Sequence, residues 1–251
     1  MPGGSGRVEL DEALRRVADL WAVDLWGVAD LEPAVDFIVE QGGEAVAGFP
    51  RAVAVGVALP HAVVDQLPKR DDWAVKVAYR HQYDTLNRRL DLIASHVTSL
   101  LQQQGFRALP VPASERIDSE RICAVFSHKL AAHLAGLGWI GKSCLLTTPR
   151  MGPRLRWVTV LTDAPLEPTG APMADGCGAC RACVDACPIG AFTGEPFRED
   201  EPREMRYDAA ACDRYFREMS AERRGSDVCG LCVYVCPHGQ EHMLPSGRER
   251  T

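Results

Sequence analysis

Cys177-Gly-Ala-Cys180-Arg-Ala-Cys183-Val-Asp-Ala-Cys187-Pro188 is the stretch whose reading decides the fold. It has the form C-x2-C-x2-C-x3-C-P, a spacing that holds a [4Fe–4S] cubane. Three cysteines set two residues apart share one tight loop, so their thiolates can take three corners of one cluster. The longer gap before Cys187 carries the fourth thiolate away, toward a second cluster. A partner motif is therefore required. It is present as Cys229-Gly-Leu-Cys232-Val-Tyr-Val-Cys236-Pro237, with its first cysteine moved upstream to Cys212.

Exchanging the closing cysteines assigns Cys177, Cys180, Cys183 and Cys236 to one cluster. Cys187, Cys212, Cys229 and Cys232 then hold the other, and all eight thiolates are used. A zinc ribbon or a disulfide framework is the competing reading. Zinc takes two separated C-x2-C pairs, to which a third evenly spaced cysteine is surplus. Residues 166–251 are expected to form a ferredoxin-like domain with two [4Fe–4S] clusters.

The composition fits that reading. Ten cysteines occur in 251 residues, and the N-terminal stretch has no apolar segment of the secretory kind, which points to a reducing, cytoplasmic location and to metal ligation. No run approaches the roughly 18 apolar residues of a membrane span, so no membrane partner is expected. The net charge of −6 speaks against a nucleic-acid surface.

Outward from the cysteines, residues 1–165 alternate helix and strand, the pattern of a layered α/β domain. Leu10, Leu14, Val17 and Trp21 recur at helical spacing over residues 8–21. Strands are expected at 23–31, 51–59, 106–111, 143–148 and 155–162. Leu86, Leu90, Ile93, Val97 and Leu100 mark a long helix that Gly105 stops. Ser127 is placed to cap a helix that ends in the turn Gly136-Leu-Gly138-Trp139-Ile-Gly141-Lys142. That turn follows a helix and precedes a strand, so it is neither a dinucleotide fingerprint nor a phosphate loop. It is read either as a tight structural turn or as a cofactor contact. Cys144 is expected to pack in a strand core. Tyr79, Arg80 and Tyr83 are possible proton donors, with a surface position as the default, and His238 is expected over a cluster. A proline- and glycine-rich connection, 164–176, leads into the cysteine motifs.

The stretch 128–146 (HKLAAHLAGLGWIGKSCLL), then LTDAPL at 161–166, then both cysteine motifs resemble the cobalamin-dependent epoxyqueuosine reductases and, more distantly, the reductive dehalogenases. The resemblance runs from about residue 8 to 240. It implies a nitroreductase-like α/β domain holding cobalamin, served by the clusters and fed by a donor such as ferredoxin or flavodoxin. By resemblance, Ser127, His128, Gly136, Gly138, Trp139, Gly141 and Lys142 contact the corrinoid, and a flavin is the alternative occupant. Ile122 stands where these reductases carry a catalytic aspartate, leaving Asp118, Glu120 and Cys123 as the nearest proton donors. The chain also ends at Thr251, where those enzymes continue into a helical-repeat domain. From these departures a short paralogue is expected, reducing an unknown small-molecule or protein substrate, with tRNA an unlikely partner. The alternatives are an electron-transfer or corrinoid-reducing partner protein without its own substrate, and an epoxyqueuosine reductase proper.

Overall fold

In the computed structural model, residues 4–222 and 229–240 are described. They form a mixed α/β protein of two compact units that interleave along the chain. One unit takes residues 1–58, 83–138 and 156–173, and the other takes 59–82, 139–155 and 174–251. The chain thus does not divide at one point near 165; two earlier segments belong with the cysteine motifs.

The first unit is built on a four-stranded sheet: β1 (Leu25–Asp30), β2 (Arg51–Ala58), β3 (Ala108–Val111) and, last in the chain, Leu155–Thr162. The spatial order is β1, β2, Leu155–Thr162, β3. β1 runs antiparallel to β2 with Val28 opposite Val53, and β3 runs antiparallel to Leu155–Thr162 with Leu109 opposite Leu161. The valine- and alanine-rich β2 is buried from Ala52 to Val57, as a central strand covered on both faces must be. Pro110 lies in β3, where an edge position spares the ladder its missing N–H. Trp157 lies flat on Gly56, where an added Cβ would come within 2.7 Å of the indole.

Helix Gly4–Leu20 buries Leu10, Leu14 and Val17, and helix Trp73–Gln103 buries Leu86, Leu90, Ile93, Val97 and Leu101 along one stripe. The long helix ends as its sequence demands. Gly105 has φ +85°, its N–H bonds to the Gln102 carbonyl, and the Phe106 N–H reaches Leu101. This is a Schellman closure, which an L side chain at the left-handed position would strain. Helix His128–Leu134 closes the same way at Gly136, φ +75°, with Leu137 N–H on the Ala132 carbonyl. Ser127 does sit at its N-terminal cap position, but its hydroxyl makes no capping bond.

The connection after the sheet is pinned at Thr169. Its hydroxyl accepts the Val28 N–H at 3.0 Å and donates to the Ala135 carbonyl at 3.1 Å.

The second unit contains β4 (Trp139–Ile140) paired antiparallel with β5 (Leu146–Thr147), the helix Ala209–Glu222, and short turns around the cysteines. The strand expected over 143–148 is reduced to β5. Ser143 and Cys144 form the turn before it, with Cys144 buried as expected but at φ +54°. Among the described residues no helix is long and apolar enough to cross a membrane.

Candidate iron–sulfur centre

The cysteine segments are irregular because their backbones curl around their own sulfurs. Asp175 accepts the Cys177 N–H at 3.0 Å, and the Cys180 N–H closes on the Cys177 carbonyl at 2.9 Å. Gly178, at φ +48°, permits that turn. In the second motif Cys236 is followed by a 3-10 turn, Pro237–Gly239, whose His238 and Gly239 N–H groups are aimed at the Cys236 sulfur. Proline suits the position because its missing N–H is not needed there.

The sulfurs gather in two sets. Cys177, Cys180, Cys183 and Cys236 line one cavity, together with Gly141, Lys142 and His238. Cys183 is influenced by Cys177, Cys236 and Cys180, whereas Cys212 is influenced by Cys229 and Cys187. Cys232 feels Cys229 and Cys212 first and Cys183 after them, so the sets adjoin. Burial pushes the Cys183 thiol up to about 11, and neighbouring sulfurs add to the rise. Burial likewise raises Cys212, Cys229, Cys232 and Cys236. Thiols held this way are protonated when free, and a metal that binds them must displace the protons. Among the described residues, no three His, Cys, Asp or Glu side chains are drawn together tightly enough for a single ion. The four sulfurs of the first set open instead on a shared space.

Hydrogen bonds to the sulfurs come from several elements. Trp139 Nε1 lies 3.4 Å from Cys177 Sγ, and the Ala191 N–H lies 3.3 Å from Cys187 Sγ. The Tyr207 hydroxyl bonds to Cys212, while its ring stacks on Phe192 at 5.2 Å. Burial first, and then the Cys212 sulfur, push the Tyr207 hydroxyl far up, so it stays protonated and donates. Lys142 Nζ donates to the Gly178 carbonyl at 2.7 Å and to that of Cys180 at 3.2 Å. Tyr79, expected at the surface, is buried against Gly230 in the second motif. None of these partners was legible from local pattern, although a tryptophan and a lysine inside a glycine-rich turn were a signal.

All seven positions expected to hold a corrinoid make contacts within the protein. An added Cβ at Gly136 would meet the Ala171 backbone at 2.9 Å, and one at Gly141 would meet Thr147 Oγ1 at 2.7 Å and Cys177 Sγ at 3.3 Å. The Gly138 carbonyl accepts from His133 Nδ1 at 3.1 Å, and Trp139 and Lys142 serve the cysteine loop.

His128 is held from both sides, with Nε2 3.0 Å from the Pro112 carbonyl and Nδ1 3.0 Å from Thr159 Oγ1. A carbonyl only accepts, so Nε2 carries the proton and Nδ1 accepts from the threonine. Desolvation of the ring, with the nearby Arg156 charge, pulls His128 down to about 4, against the opposing pull of the Pro112 bond. The unfolded chain then binds more protons than the native one between about pH 4 and 6.5. Stability therefore rises with pH through this window, is complete above 6.5, and falls by about 2–3 kcal/mol as pH drops to 4. Urea unfolding at pH 5 and pH 7 should show this slope, reduced in His128→Gln. An equal slope in the variant would assign it to other groups.

Asp118 and Cys123 face each other across an isolated antiparallel bridge. The Asp118 carboxylate accepts the N–H groups of Glu120 and Arg121, each at 2.8 Å, so it closes its own loop. Glu120 is exposed. Ile122 takes φ +52°, a rare conformation for a β-branched residue.

Eight thiols in two sets, wrapped by short turns, define a double-cluster iron–sulfur protein. Residues 176–239 match the family described as the 4Fe-4S double cluster binding domain. Over about two thirds of its length the chain is similar to epoxyqueuosine reductases. It is 32% identical over 163 residues to the enzyme of Pseudomonas aeruginosa, covering 63% of this chain and 41% of that one. With the enzyme of Leadbetterella byssophila the identity is 32% over 186 residues, covering 70% and 57%. The chain thus spans about half the length of these relatives.

In fold it is similar to a catabolic reductive dehalogenase solved with 3-bromo-4-hydroxybenzoic acid, at a TM-score of 0.69 and 21% identity, covering 92% of this chain and 32% of that one. It is also similar to an epoxyqueuosine reductase solved with an epoxyqueuosine-modified tRNA stem loop, at 0.58 and 21%, covering 93% and 66%. That tRNA is a property of the relative, and nothing in these relatives supports the flavin alternative.

Proposed function

We propose that this protein is an iron–sulfur reductase that moves low-potential electrons singly through two [4Fe–4S] clusters. Cys177, Cys180, Cys183 and Cys236 hold one, and Cys187, Cys212, Cys229 and Cys232 the other. The observation that carries the reading is the sorting of the eight thiols, in which each closing cysteine keeps company with the opposite motif. The clusters, when bound, accept and release one electron each. The chain's part is to hold the sulfurs in place and to aim donors at them.

A ferredoxin or flavodoxin is the proposed donor. Cobalamin in a nitroreductase-like first unit is the proposed acceptor, on the strength of a fold relative described as carrying out B12-dependent dehalogenation. Ser127, His128, Gly136, Gly138, Trp139, Gly141 and Lys142 are its proposed contacts, and no step is assigned to them. An unknown small molecule is the proposed substrate, because Ile122 cannot deliver a proton and Asp118, Glu120 and Cys123 are the remaining donors. The second reading is an epoxyqueuosine reductase proper, which the relatives' names favour.

Anaerobic reconstitution with iron, sulfide and hydroxocobalamin, followed by metal counting and visible spectra, tests the cofactors. About eight irons per chain are expected; zinc in their place overturns the reading. Incubation with epoxyqueuosine-containing tRNA and a low-potential reductant then separates the two substrates, since multiple turnovers to queuosine establish the second.

A further inference from the structure

We propose that Trp139 sets the reduction potential of the cluster at Cys177, Cys180, Cys183 and Cys236, by donating its indole N–H to the Cys177 sulfur. The inference rests on the cluster assignment above. Nε1 stands 3.4 Å from Cys177 Sγ, and an indole N–H can only donate. Trp139 is 4% exposed, so water does not compete for that proton.

The ring is held in place by its neighbours. The bare backbone of Gly176 lies on it, where an added Cβ would be 2.7 Å from Cζ2. His238 meets it edge-on at 4.9 Å and 79°, and is itself 3.3 Å from the Gly176 carbonyl through Nε2. Three residues on, Lys142 ties down the carbonyls of Gly178 and Cys180, fixing the loop that presents the sulfur and adding a positive charge.

One-electron reduction adds negative charge, part of which falls on the thiolate sulfurs. A donor aimed at a sulfur is worth more to the reduced cluster than to the oxidised one and so raises the potential. Trp139 acts through the Cys177 sulfur and is a positioning residue. Tyr207, bonded to Cys212, is the corresponding donor on the other set and serves as the control.

The test is an EPR-monitored redox titration of the anaerobically reconstituted full chain. In Trp139→Phe, one midpoint should move to more negative potential, by roughly threefold in the reduction equilibrium, or about 28 mV at 59 mV per tenfold. The other midpoint should stay. Tyr207→Phe should move only that other one. Unmoved midpoints in a fully loaded Trp139→Phe overturn the tuning role and leave the cluster assignment standing. Wild-type protein that takes up no iron overturns the assignment and this inference with it. If Trp139→Phe cannot be loaded, ENDOR on wild type labelled with indole-15N tryptophan decides. A coupled, exchangeable indole proton supports the proposal, and its absence overturns it.

Discussion

Replacing Cys187 with serine is expected to lower the iron content from about eight to about four per chain, while the cluster at Cys177, Cys180, Cys183 and Cys236 keeps its EPR signal. Cys187 is only four residues from Cys183, yet the longer gap of the motif sets it apart. The intervening helical turn, Ala182–Asp185, carries it away. Its sulfur accepts the Ala191 N–H and acts on Cys212 and Cys229, whereas Cys183 is influenced by Cys177, Cys236 and Cys180. Serine preserves the shape but offers a poor ligand to iron. The mirror variant, Cys236→Ser, lies in the second motif and should cost the first cluster. Iron and sulfide analysis with EPR of both variants is decisive. If Cys187→Ser abolishes the signal shared by Cys177, Cys180 and Cys183, the exchange of closing cysteines is wrong.

The two proposed sets follow from spacing, with four thiolates per cubane and a longer gap that carries Cys187 out of the first loop. Strands β1, β2 and Leu155–Thr162 and the Gly105 stop were legible for a similar reason: their causes are local. What sequence did not convey was long-range. Residues 59–82 and 139–155 carry no cysteine motif, yet they belong with the cluster segment. Tyr79 reads as a surface residue until Gly230 comes to lie against it. By resemblance Trp139 and Lys142 read as corrinoid contacts, but their reach to the Cys177 sulfur and to the Gly178 and Cys180 carbonyls was not legible. Gly136 lies against the Ala171 backbone, and Gly141 against the Thr147 side chain and the Cys177 sulfur. Cys144 followed the hydrophobic pattern of a strand, but the strand begins two residues later, after a left-handed turn that no propensity marks.

Arg154 was not singled out by any motif, and its loss is expected to be the largest single stability effect in the second unit. Its side chain is fully buried, with Nη1 2.7 Å from Asp65 Oδ1 and Nη2 3.5 Å from the Tyr234 carbonyl. The Gly239 backbone lies on its stem, where an added Cβ would be 2.9 Å from Nε. The guanidinium therefore ties the 59–82 segment to the two residues flanking the Cys236 turn. Arg154→Met keeps most of the stem and removes the charge, leaving Asp65 without this cation. Breaking a buried pair by removing one partner typically costs about 3–5 kcal/mol. Asp65 is 21% exposed, so solvent softens the loss and about 3 kcal/mol is expected. Arg154→Lys should recover little, because one ammonium cannot span both acceptors. The double variant Arg154→Met, Asp65→Leu should recover most of it. The wild-type pair is itself imperfect, since Arg154 Nε is buried without a hydrogen-bond partner among the described residues. Replacing such a pair by apolar groups is often neutral. Urea midpoints at constant m-value, with the iron retention of each variant, provide the measurement. A single Arg154→Met within about 0.5 kcal/mol of wild type would show that stem packing, not the ion pair, holds these segments.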